Sequence, residues 1–190
     1  VMHIGLSSVV RANASGADLR AFGSLSNVIR FALFGAPGVK TPADLKGGTI
    51  AISSLGSESD ATITIMLAKL GLTRADVTVK ELGLRRLAAI QSGEVTATAL
   101  NEPDRSRAYA AGLTALVDLA PQRIPWLFTA LVAKRADIKD RRDILMRFLK
   151  ATVEGNRLAI SDEARAKAVL KREFGVNDQN IIDINYAEFK

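Results

Sequence analysis

Apolar stretches recur along the chain, with helix-like stretches between them. The stretches that resemble strands are VMHIGLSS, LRAFGSLS, IRFALFGAPG, GTIAIS, VTVKEL, EVTATAL, LTALVDLA and LFTALVAK. Strands that helices cover on both faces of a sheet form continuous apolar runs of this kind. The alternation therefore predicts an α/β fold with mostly parallel sheets.

Capping residues and glycines mark the expected helix ends. Ser57 can cap a helix that ends at Gly71, and LRRLAAIQSG ends at Gly93, where a positive φ is wanted. Asp104 can cap a further helix that ends at Gly112. The clearest break between two blocks of the chain is GAPGVKTPADLKGG, because its prolines interrupt a helix and its glycines loosen the backbone.

Near the C-terminus, DRRDILMRFLKATVEGNRLAI shows the periodicity of a long amphipathic helix. Its apolar face consists of Ile144, Leu145, Phe148, Leu149 and Thr152, with arginine and lysine between them. The segment Ser161-Asp162-Glu163 then predicts the start of the next helix.

Composition indicates a folded globular chain, since 48% of the 190 residues are hydrophobic and 24% are charged. No apolar run approaches the roughly 20 residues that span a bilayer, and we expect neither a membrane anchor nor a signal peptide in these residues. The net charge is +6, but the basic residues are spread through helix-like segments. We therefore expect a solvated basic surface and no nucleic-acid partner.

Few residues suit catalysis. The chain has no cysteine, which excludes disulfides, thiolate metal sites and a cysteine nucleophile, and His3 is its only histidine. His3 stands in a strand-like run, where a lone histidine is more often structural than catalytic. No Ser-His-Asp triad, zinc site, P-loop or G-x-G-x-x-G motif can be assigned. We expect a protein that is not an enzyme and holds neither metal nor cofactor.

The stretch AISSLGSESDATITIMLAKLGL contains the first candidate site. Its strand runs through glycine and serines into a helix, whose first-turn N–H groups could meet a ligand. Gly56 would let a ligand approach, and Ser57 and Ser59 would add hydroxyl groups. Alternatively, Ser57 only caps the helix, and Glu58 and Asp60 satisfy its dipole. These two acids also count against a strongly anionic ligand, unless their side chains point away.

Three further positions are candidates for ligand contact. Glu102 follows the strand EVTATAL, and ligands of open parallel sheets collect outside the carboxyl ends of strands. Ser7 and Ser8 repeat the pattern of a strand followed by serines. Trp126 could stack on a ligand. Two of these positions also have a structural explanation. Glu102 could belong to a turn with a helix cap, and Trp126 could pack in the core.

The order of these segments resembles the substrate-binding proteins of bacterial ABC importers, in the nitrate, sulfonate and taurine group related to thiamine-pyrimidine binders. The most specific motifs are TPADLKGGTIAIS, LAAIQSGEV ahead of a strand, and NEP after it. The resemblance covers nearly all of the chain. It implies a type-2 periplasmic binding protein fold, in which two lobes close on a small ligand by a hinge.

By that resemblance, residues 1–30 and 135–190 form lobe 1, truncated at its N-terminal end, and residues 31–134 form lobe 2. The lobes would be joined by IRFALF and LFTALVAK. The ligand-binding positions that the resemblance implies, together with Trp126 from the residues alone, are Ser7, Ser8, Asn27, Gly56, Ser57, Ser59, Glu102 and Trp126. Ser7 and Ser8 would lie in a loop of lobe 1, and Asn27 would face the hinge side of the cleft.

The resemblance further implies a periplasmic or membrane-tethered monomer that delivers its ligand to a membrane permease. The sequence departs from the family at Thr96 and His3, where acidic residues are usual, and we expect both positions to affect packing more than ligand choice. One alternative is the effector domain of a LysR-type transcription regulator, which shares the two-lobed fold. Another is an enzyme of the thiamine-pyrimidine synthase type, which should show additional histidines and cysteines.

Overall fold

The computed structural model describes residues 1–190 as eight strands and eight helices joined by turns. The strands are β1 (Met2–Ile4), β2 (Leu19–Val28), β3 (Ala32–Gly35), β4 (Thr49–Ile52), β5 (Thr78–Glu81), β6 (Ala97–Leu100), β7 (Ala115–Asp118) and β8 (Pro125–Lys134). The helices are α1 (Leu6–Ala14), α2 (Glu58–Lys69), α3 (Arg86–Gln91), α4 (Asp104–Ala110), α5 (Arg135–Asp140), α6 (Arg142–Ser161), α7 (Glu163–Phe174) and α8 (Gln179–Phe189).

The strands form two separate sheets. The larger sheet has the order β5-β4-β6-β3-β7, and the smaller sheet has the order β1-β8-β2. Only the pairings of β4 with β5 and with β6 are parallel; β3 with β6, β3 with β7, and both pairings of β8 are antiparallel. The prediction of mostly parallel sheets is therefore wrong, because an apolar run indicates burial and not strand direction.

Helices cover both faces of the larger sheet, as the continuous apolar runs predicted. Side chains alternate between two core clusters: Leu33 and Ile50 face one, and Phe34 and Ala51 face the other. The first cluster includes Ile63, Met66 and Leu67 of α2. The second includes Ala89 and Ile90 of α3 and Ala108 of α4.

The smaller sheet also packs against helices on its two sides. Val9 of α1 lies with Ala130 and Val132 of β8 in a compact apolar cluster. On the side of α6, the ring of His3 meets the ring of Phe148 edge to face, with centroids 5.9 Å apart. The only histidine is exposed and contacts the half-buried ring of Phe148.

Helix boundaries largely follow the capping signals. Ser57 caps α2 through its hydroxyl, which accepts from the N–H of Asp60, and Gly71 and Gly93 follow their helices with φ of +72° and +73°. Asp104 is not a cap; it lies in the first turn of α4, after Pro103. Its carboxylate instead pairs with Arg107 one turn on, at 2.9 Å.

The long amphipathic helix of the C-terminal region is α6, and its predicted apolar face is only partly buried. Leu145 is buried, whereas Ile144 is 49% exposed. Later in the chain, α8 lies against α4, one of the helices that cover the larger sheet. None of the helices is both long enough and apolar enough to cross a membrane.

Candidate functional site

One edge of the larger sheet collects the chain segments that the sequence pointed to. The register pairs Ile50 of β4 with Ala97 of β6 in parallel, so both strands end at the same edge. The serine-rich loop after β4 and Asn101 after β6 consequently lie beside each other. Ala32 pairs with both Leu100 and Asp118, which places the start of β3 and the end of β7 at this edge as well.

The serine-rich loop after β4 is held by its own hydroxyl groups. The hydroxyls of Ser53, Ser57 and Ser59 lie 2.8–2.9 Å from one another, and Ser59 Oγ also accepts from the N–H of Ser53. Ser59 is 1% exposed. Two of the serines predicted to face a ligand, Ser57 and Ser59, thus already stabilise the loop and the helix start, and contact of either with a ligand stays a prediction.

Glu58 joins this loop to the smaller sheet. One carboxylate oxygen accepts from the backbone N–H of Ser7 at 2.7 Å, and the other accepts from the indole N–H of Trp126 at 2.5 Å. Ser7 belongs to α1 and Trp126 to β8, so one buried carboxylate contacts two elements beyond its own helix. Trp126 also packs against the main core cluster, as its structural explanation predicted. Its contact with a ligand stays a prediction.

Gly56 and Asp60 complete the loop. The Asp60 carboxylate accepts from the N–H of Gly56 at 2.7 Å, and its other oxygen pairs with Arg74 at 2.7 Å. Gly56 has a φ of +76°, which favours glycine, and the side chain of Arg11 lies against the space a Cβ would fill. Asp60 therefore points into the loop, whereas Glu58 points out of it toward Ser7 and Trp126.

Ser7 and Ser8 lie in a helix and not in a loop. They belong to the first turn of α1, which begins at Leu6 directly after the short strand β1. Ser8 Oγ donates to the carbonyl of Gly56 at 3.3 Å. The sequence prediction extended the strand as far as the serines, whereas β1 ends at Ile4; Ser7 and Ser8 nevertheless contact the segment that follows β4.

Glu102 lies in a second group of polar residues along the same edge. Its carboxylate accepts from the guanidinium of Arg105 at 2.9 Å and from the side-chain amide of Asn185 at 3.2 Å. Arg105 is also paired with Asp118 at 3.2 Å and with Glu188. A guanidinium whose side chain is 8% exposed is thus surrounded by three carboxylates.

Glu102, Asn185 and Glu188 border a cavity of about 460 Å3 between the two sheets, whereas Ser7, Ser8, Gly56, Ser57, Ser59 and Trp126 do not line it. It is lined by β2, β8, the turn after β6, and the helices α6 to α8, through Leu25, Ser26, Arg30, Asn101, Glu102, Phe128, Thr129, Asn156, Ile160, Phe174, Asn185, Glu188 and Phe189. Asn27 is exposed and does not line it. Neighbouring strand residues point to opposite faces, so Ser26 takes the position expected of Asn27.

Two groups at this edge have shifted proton affinities. Burial lowers the pKa of Arg30 from its usual value, and the charges of Arg123 and Arg105 lower it further. Burial, followed by the hydrogen bond to Asp118, raises the pKa of Tyr109 to about 12. Tyr109 is therefore neutral at pH 7 and donates its O–H to the Asp118 carboxylate at 2.8 Å.

Arg30, Arg105, Asn185 and Glu188 were not evident from the sequence as members of the site. Arg105 and Glu188 are 83 residues apart, and only the packing of α8 on α4 brings them together. Asn101, in the NEP motif, was the one local signal for this part of the cavity. A buried arginine in a short helix next to an acidic turn is not distinguishable from a surface arginine in the sequence.

Comparison with known proteins identifies the family. A family model described as NMT1/THI5 like matches residues 4–166. The riboflavin-binding protein RibY of Chloroflexus aurantiacus is 29% identical over 164 residues, which are 83% of this chain and 46% of that protein.

Solved structures have the same fold. The periplasmic aliphatic sulphonate binding protein SsuA of Escherichia coli superposes with a TM-score of 0.78 at 25% identity, over 99% of this chain and 65% of that one. The desulfurization enzyme DSZB superposes with a TM-score of 0.67 at 16% identity, over 92% of this chain and 67% of that one, which shows a shared fold alone. The chain spans about half the length of RibY and less than two thirds of SsuA. The fold is that of periplasmic binding proteins, as the resemblance predicted.

Proposed function

Because the chain belongs to the NMT1/THI5-like family, we propose that it is the solute-binding component of an ABC importer. The names of the relatives, riboflavin-binding protein and aliphatic sulphonate binding protein, support a binding role, and the second also supports a periplasmic location. The family assignment gives no support to the alternative of a LysR-type regulator.

The observation that carries the proposal is the cavity between the two sheets. Ligand sites are concave, and most combine apolar walls with a few polar groups that fix orientation. Here Phe128 and Phe174 supply aromatic surface, while Asn101, Asn156 and Glu102 supply polar atoms. The volume of about 460 Å3 suits a small molecule.

We assign residues 1–30 and 135–190 to one lobe, together with β8, which pairs with β1 and β2, and the rest of residues 31–134 to the other. A ligand that contacts both lobes stabilises their closed arrangement, because it binds that arrangement better than the open one. The closed form would then dock on the membrane permease as a monomer. The work of the protein is capture and release, with no covalent step.

A binding role is preferred over catalysis, although the fold also occurs in the enzyme DSZB. Catalysis needs a group positioned to move a proton or attack a substrate. The single histidine is engaged in packing against Phe148, and the serine hydroxyls of the loop are hydrogen-bonded to one another. A ligand recovered unchanged after prolonged incubation, as judged by mass spectrometry, would agree with this assignment.

The experiment that tests the function is a thermal-shift screen of the full chain against sulfonates, nitrate, carboxylates, aromatic acids, pyrimidines and riboflavin. A ligand that binds only the folded protein raises its Tm by mass action. We expect at least one class to raise Tm in proportion to the logarithm of its concentration. No shift for any class, with the protein folded, would refute the proposed function.

Cavity variants locate the binding site. Asn101→Ala and Glu102→Gln should weaken the ligand found in that screen by about ten- to a hundredfold, the effect of one or two lost hydrogen bonds. Glu94→Gln is the matched control. Glu94 precedes β6, so it lies at the opposite edge of the sheet, where it pairs with Lys80. Equal affinities in all three variants would place the ligand elsewhere.

A further inference from the structure

Two backbone N–H donors beside the start of α2, those of Ser7 in α1 and Gly56 in the preceding loop, already have carboxylate acceptors from this chain. Glu58 accepts from the N–H of Ser7 and from the indole of Trp126. Asp60 accepts from the N–H of Gly56. An anion gains affinity at a helix start by accepting from free N–H groups of this kind. Here an entering anion would have to displace a carboxylate that is already in place.

These carboxylates have little freedom to move away. Glu58 is 9% exposed, and its side chain lies against the Cα of Gly5, in the space that any other residue there would need. Asp60 is fixed on its other side by the ion pair with Arg74. An anion at this loop would therefore lie beside two carboxylates that are already in place.

The cavity carries more negative than positive groups. Its charged lining consists of two carboxylates, those of Glu102 and Glu188, and one guanidinium group, that of Arg30; Asp118 and Arg105, which pair with each other, are not part of the lining. One oxygen of Glu188, Oε2, is buried without a hydrogen bond, and the guanidinium of Arg30 lies 3.8 Å from it. Buried polar atoms are nearly always paired, so this oxygen is an acceptor that a ligand can satisfy.

From these two independent observations we infer that the ligand is a neutral or cationic molecule that presents N–H or O–H donors next to an aromatic or apolar ring, and not an anion. The inference rests on the proposed function and specifies its substrate class. Donors of the ligand would meet Glu188 and Glu102, and its ring would pack against Phe128 and Phe174. Like charge on the ligand would be repelled by the same carboxylates.

Two cations near the edge would favour an anionic ligand instead, so the charge preference has to be tested in both directions. The guanidinium of Arg11 lies beside Gly56, and Arg123 lies close enough to Arg30 to lower its pKa. Both are exposed. Exposed charges interact weakly through water, whereas the carboxylates of the cavity are mostly shielded from it.

The test compares probes that differ only in charge. Binding of benzamide, benzamidine and benzoate, of nicotinamide and nicotinate, and of an alkanesulfonamide and its sulfonate is measured by calorimetry and thermal shift. We expect the neutral or cationic member of a set to bind at least tenfold more tightly than its acid. Acids that bind as tightly as their amides, or more tightly, would refute the inference while leaving the proposed function standing. No binding by any probe or by the wider screen would refute both.

Charge-removing variants supply the second arm. Glu188→Gln should reduce the preference for the neutral probe over its acid severalfold, because it removes the repulsion of the acid. Glu102→Gln should change the preference in the same direction, and it replaces the first variant if that one does not fold. Glu94→Gln removes the same charge outside the cavity and should leave the preference unchanged. A preference that does not respond to either cavity variant would overturn the assignment of these acceptors.

Discussion

Gly5 and Glu58 are in direct contact across the junction of the two sheets. A Cβ on Gly5 would overlap the Cγ, Cδ and Oε1 atoms of Glu58. Glycine is therefore needed at this position for lack of space, since its φ of −66° suits any residue. The contact keeps the Glu58 carboxylate on the first turn of α1.

Gly5→Ala should destabilise the protein by about 1–3 kcal/mol, the usual cost of overpacking. Either the new methyl group strains the junction, or Glu58 moves and loses its partners Ser7 and Trp126. Urea denaturation measures the change. The matched control is Gly155→Ala in α6, which has open space and should stabilise by about 0.5–1 kcal/mol. Equal behaviour of the two variants would contradict the contact.

Glu58 and Trp126 should be energetically coupled. Glu58→Gln replaces a charged acceptor and should cost about 1.5–3 kcal/mol, the worth of hydrogen bonds to a charged group. Trp126→Phe removes the indole donor. Because the two side chains share one hydrogen bond, the double variant should be less destabilised than the sum of the single variants. Strict additivity in denaturant unfolding would show that the bond contributes nothing.

Ser57 and Ser59 should differ in what their removal does. Ser59→Ala leaves the N–H of Ser53 without its acceptor in a buried loop, and we expect a loss of about 1–3 kcal/mol. Ser57→Ala removes a helix cap and should cost about 1 kcal/mol. Thermal unfolding of the two variants separates these effects from any change in ligand affinity. A larger loss for Ser57→Ala would reverse the roles assigned here.

Arg105 should be the most sensitive charged residue. Arg105→Met leaves three carboxylates without their common partner, and breaking a buried ion pair in this way costs about 3–5 kcal/mol. Arg147→Met is the control, since Arg147 forms an exposed pair with Asp143 and should change stability by less than about 0.5 kcal/mol. Similar unfolding midpoints for the two variants would argue against a buried network.

Asp44 should make part of the stability depend on pH. The N–H groups of Lys40 and Thr41 and the hydroxyl of Thr41 lower its pKa below the ordinary 3.8. The unfolded chain therefore takes up the proton first, and the stabilisation is present above pH 3.8 and lost as the pH falls through the folded-state pKa. Asp44→Asn should lower Tm at pH 7, and the difference from the wild type should shrink below pH 3.8. A constant difference would contradict this.

The sequence predicted the local features better than the long-range ones. Ser57 as a helix cap, the glycines that follow α2 and α3, and a sheet covered on both faces depend on neighbouring residues or on periodicity. Strand direction does not, and the antiparallel pairing of β2 with β8 joins segments more than a hundred residues apart. The same reason explains the cavity: Arg105 and Glu188 meet only because α8 returns to α4.

Thr96 and His3 show how far a departure from a family pattern can be interpreted. The Thr96 hydroxyl accepts from the N–H of Thr49 at 3.0 Å, and its side chain fills the space beside Gly48. His3 lies against Phe148. Thr96 thus serves packing and His3 has one aromatic contact, while their weight in ligand choice stays a prediction.

The attachment of α8 to α4 has a consequence for the speed of movement. Glu188 and Asn185 hold Arg105 and Glu102 through bonds that act only over a few ångströms. Once water enters, dissolved ions screen the charges over about 8 Å at physiological ionic strength. Resistance is therefore greatest for the first few ångströms of separation and small beyond them. Added salt should therefore shorten the time that α8 takes to detach from α4.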